Sequence, residues 1–137
     1  MDAVEAALWR SGIPRAQPTG LAAYVVAFSV AEGQLRLGMP VVVDAVNPVE
    51  EPRAGWRDLA ARQGVPLRVI EVICPDTDEH RRRVRGRQPS ADQAAPPSWD
   101  DLASYTYEPW TEPRLTVDAS APVPHCLAQI LSFVDSR

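Results

Sequence analysis

Arginine supplies every basic side chain of this sequence, which limits the chemistry that it can perform. Lys and Arg together number 14, and none of them is lysine. Covalent catalysis by a lysine amine, as in a Schiff base, is therefore excluded. The phosphate-binding pattern GxxxxGK[ST] also needs a lysine, so a nucleotide site made by these residues has only arginine and backbone amides to use. A GC-rich coding sequence explains the lysine count equally well, since Ala, Val, Arg and Pro dominate.

The basic side chains are concentrated in one short segment. Five of the seven residues from 81 to 87 are arginines, namely Arg81, Arg82, Arg83, Arg85 and Arg87. Such a run can be the solvated face of a helix. It can also bind an anion, because the planar guanidinium pairs with phosphate oxygens and the clustered charges repel one another without a partner.

An acidic residue and an amide follow the apolar run PVVVDAVNP at 40–48. Asp44 can cap a helix or stabilise a turn, or it can hold a metal-bound water as the acid of a phosphotransferase does. Asn47 fits a turn former as well as a ligand. The sequence alone leaves both pairs of alternatives open.

Composition limits the class of protein. The 137 residues are enough for one domain spanning 1–137 with one sizeable core, and the hydrophobic fraction of 45% is typical of globular proteins. A net charge of −4 argues against a general nucleic-acid binder. No apolar run is long enough to span a bilayer, and the acidic N-terminus is unlike a signal peptide. Two widely spaced cysteines give no disulfide framework, which fits a cytoplasmic protein.

The apolar patterns predict helices alternating with short buried strands, hence an α/β fold with a parallel sheet. Strands are expected at 41–44, 67–74 and 114–118. Helices are expected at 2–9, 19–37, 50–63, 76–87, 99–107 and 123–134. The last helix is predicted to turn one apolar face inward, formed by Cys126, Leu127, Ile130, Leu131 and Val134. Residues 88–98 are rich in Pro, Ser and Ala and are predicted to form a mobile loop.

The order of these motifs resembles the small-molecule P-loop kinases, a group that includes gluconate kinase, polynucleotide kinase, chloramphenicol phosphotransferase and zeta-toxin types. In that group a strand ends in an acid, followed by Asn and a helix with the pattern Arg-x-x-Trp-x-x-Leu-Ala. The segment VVVDAVNPVEEPRAGWRDLA at 41–60 matches this pattern, and HRRRVRGR at 80–87 matches the arginine-bearing lid. The resemblance covers essentially the whole chain.

The resemblance implies a three-layer P-loop NTPase-like fold, ATP and Mg²⁺ as cofactors, and a small-molecule or nucleotide partner. It implies that Asp2 accepts the proton of the substrate hydroxyl and that Asp44 holds the metal. Arg83 and Arg87, four residues apart, correspond to the catalytic and phosphate-binding arginines of the lid. Asn47 and Ser120 fall on the remaining nucleotide-binding positions.

One large departure accompanies the resemblance. The group begins with a strand, the phosphate-binding loop and a helix, a unit of roughly 30 residues, and this unit is not found in the sequence. In relatives its strand lies between the strands that correspond to 41–43 and 69–73. An incomplete sheet is therefore expected, with exposed edges that favour a homodimer, aggregation or partial unfolding.

Two classes of function follow. One is an ATP-dependent phosphotransferase domain for a small-molecule hydroxyl, inactive as written because the phosphate-binding loop is missing. The other is a non-catalytic module that binds anions or partners and keeps the kinase framework. The segment that would select the substrate is variable in the group, so the sequence does not name the substrate.

Overall fold

The computed structural model describes residues 2–14, 19–87 and 98–136. The chain divides into two compact units. Within the described residues, the first unit comprises 2–14, 19–67 and 106–108, and the second comprises 68–87, 98–105 and 109–136. The expected loop at 88–98 lies outside the described residues except for Ser98. The single domain expected over 1–137 stays a prediction.

Six helices and two strands are found in the described residues. They are α1 (Asp2–Arg10), α2 (Thr19–Arg36), α3 (Glu50–Gln63), β1 (Ile70–Ile73), α4 (Thr77–Gly86), α5 (Trp99–Ala103), β2 (Leu115–Asp118) and α6 (Val123–Asp135). No described helix combines the length and the apolar character needed to cross a membrane.

The first unit is a layer of three helices in which α2 packs against both α1 and α3. Its buried apolar residues are mostly small: Ala6, Ala23, Ala31, Leu59 and Ala60. The contact of α2 with α3 is close at Gly55, where an added Cβ would lie 2.4 Å from Cζ of Phe28. The Phe28 ring also meets the Trp56 ring edge-on, with centroids 4.3 Å apart. Small residues therefore let these helices approach, and two aromatic rings fill the space between them.

Local sequence signals set several helix ends. Gly64 ends α3 with φ of 64°, a left-handed conformation that glycine adopts without a steric penalty. Asp76 caps α4, because its Oδ1 accepts the backbone N–H groups of Asp78 and Glu79 at 3.0 Å. The helix predicted at 50–63 is confirmed with these bounds.

The second unit contains the sheet. β1 and β2 are parallel, with Ile70 opposite Leu115 and Ile73 opposite Asp118. Helix α6 packs on β2. The side chain of Val117, in β2, is only 1% exposed. The prediction of parallel pairing is confirmed for these two strands, although each is shorter than expected.

The strand predicted at 41–44 is wrong. Residues 39–48 form neither strand nor helix. A strand exists only where a second extended backbone exchanges hydrogen bonds with it, and the described part of the first unit contains no strand. The run of valines indicated an extended backbone, because valine favours that conformation. It did not show whether a second strand lies beside the segment.

The inward face predicted for the last helix is wrong in part. Cys126 and Ile130 are half-buried as expected, but Leu127, Leu131 and Val134 are exposed. Phe133 is half-buried in their place. This helix is apolar over two adjacent faces, so its periodicity could not show which face would contact β2.

Candidate functional site

Arg83 connects α4 to the turn that follows β2. Its Nε donates to Oε1 of Glu79 at 2.5 Å, one helical turn earlier. Its Nη1 donates to the carbonyl oxygen of Ala119 at 2.9 Å. The guanidinium therefore lies at the carboxyl end of the parallel sheet, the edge where ligands of open α/β sheets bind.

The turn beside Arg83 is tied together by Asp118 and Ser120. The backbone N–H and the hydroxyl of Ser120 donate to Oδ1 of Asp118 at 2.8 and 2.6 Å. These hydrogen bonds lower the pKa of Asp118, and the nearby charge of Arg83 lowers it further. Two of the predicted nucleotide-binding residues, Arg83 and Ser120, thus belong to one small region of the second unit.

Arg87 directly follows the last residue of α4. The helix ends at Gly86, and Arg87 is its C-cap, with φ of −66°, ψ of 126° and an exposed side chain. Because φ has its helical value, the Arg87 side chain leaves the backbone where a continued helix would place it, and only the residues after Arg87 depart from the helix. The pairing of Arg83 with Arg87 at one phosphate site stays a prediction.

Neighbouring residues of α4 enclose the Trp99 ring. The guanidinium carbon of Arg81 lies 4.9 Å from the centroid of this ring, and the His80 ring meets it edge-on at 5.3 Å. The sequence left open whether Trp99 stacks on a substrate or packs. The structure shows it packed against its own chain, where a cation–π contact holds α5 to α4.

Asn47 lies in the first unit, and its amide group is used within the protein. Its Oδ1 accepts from Nε1 of Trp56 at 3.0 Å, and its Nδ2 donates to the carbonyl of Ala45 at 3.3 Å. The backbone N–H of Asn47 donates to the hydroxyl of Tyr24 at 3.0 Å. With φ of 47°, Asn47 occupies the left-handed conformation of a turn former, in which asparagine is enriched.

Arg53 fixes this turn from beneath. The residue is 3% exposed, the one buried charged residue among those described. Its Nε donates to the carbonyl of Asn47 at 2.9 Å, and its Nη2 donates to those of Pro48 and Glu108 at 3.3 and 2.6 Å. The Tyr107 ring lies 5.4 Å from its guanidinium carbon. Arg53 thus joins the turn at 47–48 to residues 107–108, which are far away in sequence.

Sequence reasoning found Arg53 only as part of a pattern and gave it no function. The available signal was an arginine three residues before Trp56 on a helix that directly follows an Asn-Pro turn. A guanidinium has five N–H donors, which suits it to collect several carbonyl oxygens at such a turn.

The predicted site residues are divided between the two units. Asp44, which is exposed, and Asn47 lie in the first unit. Arg83, Arg87 and Ser120 belong to the second unit. Asp2 is the first residue of α1, and its side chain lies outside the described part of the structure. The structure thus brings Arg83 to the turn that contains Ser120 and places Asp44 and Asn47 three residues apart in the other unit.

The described residues supply only some of the groups that a site for ATP and Mg²⁺ uses. The sequence has no lysine for the β- and γ-phosphates, and both ends of the Asn47 amide are engaged. Across 2–14, 19–87 and 98–136, no group of three His, Cys, Asp or Glu side chains is placed to hold a metal ion. Arg83 and Arg87 can contact an anion, but they supply only part of what a triphosphate needs.

Comparison with protein-family models gives a match. A family model described as an AAA domain matches residues 2–109, most of the chain. No curated protein and no solved structure matches it. The matched region contains the extended valines, the Asn47 turn and the arginines of α4, all of which carried the resemblance in the sequence. The chain belongs to the AAA domain family, which is of the P-loop kinase-like class and has the P-loop NTPase-like fold.

Proposed function

We propose that the chain is a phosphotransferase-type domain for a small-molecule hydroxyl and that Arg83 and Arg87 form the arginine side of its phosphate site. The observation that carries this proposal is the hydrogen bond from Arg83 to Ala119. It holds a guanidinium at the carboxyl end of the parallel strands, beside the turn of Ser120. Phosphate oxygens are strong acceptors for such a group.

The proposed residues have separate functions. Arg83 and Arg87 neutralise phosphate charge, and Ser120 lies on the nucleotide side. Asp44 is the residue that would hold Mg²⁺, which when bound neutralises charge on the transferred phosphoryl group. Asp2 is the proposed base toward the substrate hydroxyl. Asn47 acts indirectly, since its amide stabilises the turn that follows Asp44.

We expect the 137-residue chain to bind Mg-ATP weakly and not to transfer phosphate by itself. Most of the catalysis in phosphoryl transfer is positioning and charge stabilisation, and the loop with its lysine supplies a large part of both. No residue of this sequence replaces that lysine.

A second candidate function is a non-catalytic module that binds anions. The absence of lysine and the engagement of the Asn47 amide favour it. An anion site around Arg83 serves both functions, and Mg-ATP affinity distinguishes them. An in-frame GxxxxGK[ST] motif upstream in the gene would favour the phosphotransferase.

Titrations of the full chain with inorganic pyrophosphate and with Mg-ATP test the proposal. With pyrophosphate, we expect NMR shifts at the amides of Arg83, Ala119 and Ser120. The Arg83→Gln variant should bind about tenfold more weakly, because a charge-assisted hydrogen bond is lost. Arg36→Gln is the matched control, since Arg36 is an exposed arginine paired with Glu32 on α2, and it should bind as the wild type does.

Each titration has an outcome that contradicts the proposal. If pyrophosphate leaves the Arg83 and Ser120 amides unchanged, or if both variants weaken binding equally, the arginine site is wrong. If calorimetry shows micromolar affinity for Mg-ATP, the chain does not need the missing loop, and the expected inactivity is wrong.

A further inference from the structure

Glu79 is an acidic residue of α4 that contacts two of the arginines of this helix. Its Oε1 accepts a hydrogen bond from Nε of Arg83 at 2.5 Å, and its other carboxylate oxygen forms an ion pair with Arg82. The Glu79 side chain is only 16% exposed, whereas that of Arg82 is 78% exposed. A single carboxylate therefore lies between two guanidinium groups that would otherwise repel one another.

Hydrogen bonds also connect Glu79 and Arg83 to the sheet. The backbone N–H of Glu79 donates to Oδ1 of Asp76, which follows shortly after β1. Nη1 of Arg83 donates to the carbonyl of Ala119, whose backbone N–H donates to the carbonyl of Ile73 at 2.7 Å. Ile73 is the last residue of β1. Together with the chain from Ile73 to Asp76, these contacts form a closed circuit that holds the Arg83 guanidinium at two of its nitrogens, Nε and Nη1.

The third nitrogen of the Arg83 guanidinium is not engaged by the described part of the chain. Nη2 forms no hydrogen bond with another residue of these ranges, and the side chain is 44% exposed. A guanidinium has five N–H donors, and the contacts with Glu79 and Ala119 use two of them. A phosphate oxygen can therefore bind at Nη2 while both contacts remain in place.

We propose that Glu79 is the positioning residue of Arg83, holding its guanidinium against the Ala119 carbonyl so that Nη2 meets the phosphate. This inference rests on the proposed function, because it concerns the same phosphate site. A mobile arginine loses rotamer freedom when it binds an anion, whereas a guanidinium that is already fixed loses less, so fixing it raises the affinity. Glu79 acts through Arg83 and does not contact the phosphate itself.

The charge of Glu79 and its hydrogen bond with Arg83 have opposite effects on anion binding. A carboxylate close to the site repels a phosphate, whereas the hydrogen bond fixes the group that binds it. The repulsion is small, because Arg82 and Arg83 both pair with this carboxylate and neutralise it. We therefore expect the hydrogen bond to decide the affinity. Two substitutions can change the charge and the hydrogen bond separately.

Pyrophosphate titrations of the full chain, followed by NMR, separate the two effects. Glu79→Asp keeps the charge but withdraws the carboxylate by one carbon–carbon bond, so it should lose Nε of Arg83 and bind pyrophosphate about threefold more weakly or worse. Glu79→Gln removes the charge but keeps an oxygen that accepts Nε, so it should bind at least as tightly as the wild type. Glu32→Asp is the matched control, because Glu32 forms the same i,i+4 pair with Arg36 on α2. It should bind as the wild type does.

Two further readouts show whether Glu79 acts through Arg83. The Nε–H proton of Arg83 should exchange slowly with solvent in the wild type and in Glu79→Gln, and rapidly in Glu79→Asp. In an Arg83→Gln background, Glu79→Asp should cause no further loss of pyrophosphate affinity, because the group that it positions has been removed.

The proposal is wrong if Glu79→Asp binds pyrophosphate as tightly as the wild type, if Glu79→Gln binds as weakly as Glu79→Asp, or if the losses of Glu79→Asp and Arg83→Gln add. It is also wrong if the Nε–H proton of Arg83 exchanges rapidly in the wild type. A failure of the phosphate site itself is distinguishable, since Arg83→Gln would then bind pyrophosphate as the wild type does while the Nε–H proton still exchanges slowly. That result would overturn the proposed site and this inference with it.

Discussion

Residues 41–43 of the first unit and β1 of the second unit are both short apolar segments, yet only β1 is a strand. Backbone hydrogen bonds join β1 to β2 on one side, with Leu115 and Ala119 donating to Val69 and Ile73 at 3.0 and 2.7 Å. Residues 41–43 have no comparable neighbour among the described residues. The difference teaches that an apolar run specifies an extended chain, whereas its pairing is decided by what lies beside it.

The two units also fix their connecting segments by different means. In the second unit, Nε of Arg114 donates to Oε2 of Glu71 at 2.6 Å and supports the strand register. In the first unit, where no strand is described, the guanidinium of Arg53 collects the carbonyls at 47, 48 and 108. Together with the backbone hydrogen bond from Glu108 to Pro48 at 2.8 Å, this buried side chain connects the two segments.

Removing the Arg53 side chain should have the largest effect. Arg53→Met keeps most of the apolar stem but removes the side-chain donor to the carbonyl oxygens of Asn47 and Glu108, while that of Pro48 still accepts the backbone N–H of Glu108 at 2.8 Å. We expect a loss of about 3 kcal/mol in the free energy of unfolding, because each unsatisfied buried polar group costs about 1–3 kcal/mol. Urea denaturation followed by circular dichroism measures this loss.

Arg57→Met is the matched control for that change. Arg57 lies on the same helix but is more exposed, and it pairs with Glu50 at the surface. Surface ion pairs contribute at most about 1 kcal/mol, so this variant should lose less than that. Equal losses for the two variants would show that Arg53 does not hold the first unit together.

Much of the fold could be predicted from the sequence because its signals are local. Gly64 and Asp76 mark helix ends, and the apolar runs before Cys74 and Asp118 mark the two strands that pair. The structure of 41–44 could not be predicted, because it depends on a neighbour. The exposure of Leu127 and Leu131 could not be predicted either, since α6 has more apolar surface than β2 covers.

The candidate site was predictable only in part. The run of arginines left open a solvated helix face and an anion-binding segment, and the contact of Arg83 with Ala119 joins residues 36 positions apart in sequence. The engagement of Asn47 by Trp56 required the turn geometry, which no spacing rule supplies. Arg53 was overlooked because a single arginine on a helix is usually a surface residue.

A pair of glycine substitutions should have a smaller effect and tests the helical packing of the first unit. Gly55→Ala inserts a Cβ against the Phe28 ring, which Trp56 holds in place. Overpacking of this kind costs about 1–3 kcal/mol. Gly33→Ala meets no atom within 4 Å and should stabilise α2 by about 0.5–1 kcal/mol. Thermal melts in which Gly55→Ala is as stable as the wild type would contradict the close contact of α2 with α3.

Amide hydrogen exchange in dilute protein tests the contrast between the two segments most directly. Amides whose hydrogen bonds are broken only by opening of the structure exchange slowly, whereas unpaired exposed amides exchange at nearly the rate of an unstructured peptide. We predict slow exchange at Leu115 and Ala119, which donate to β1 and its flanks, and fast exchange at Val41, Val42 and Val43. Exchange at the three valines as slow as that at Leu115, at concentrations where the chain is monomeric, would contradict the account.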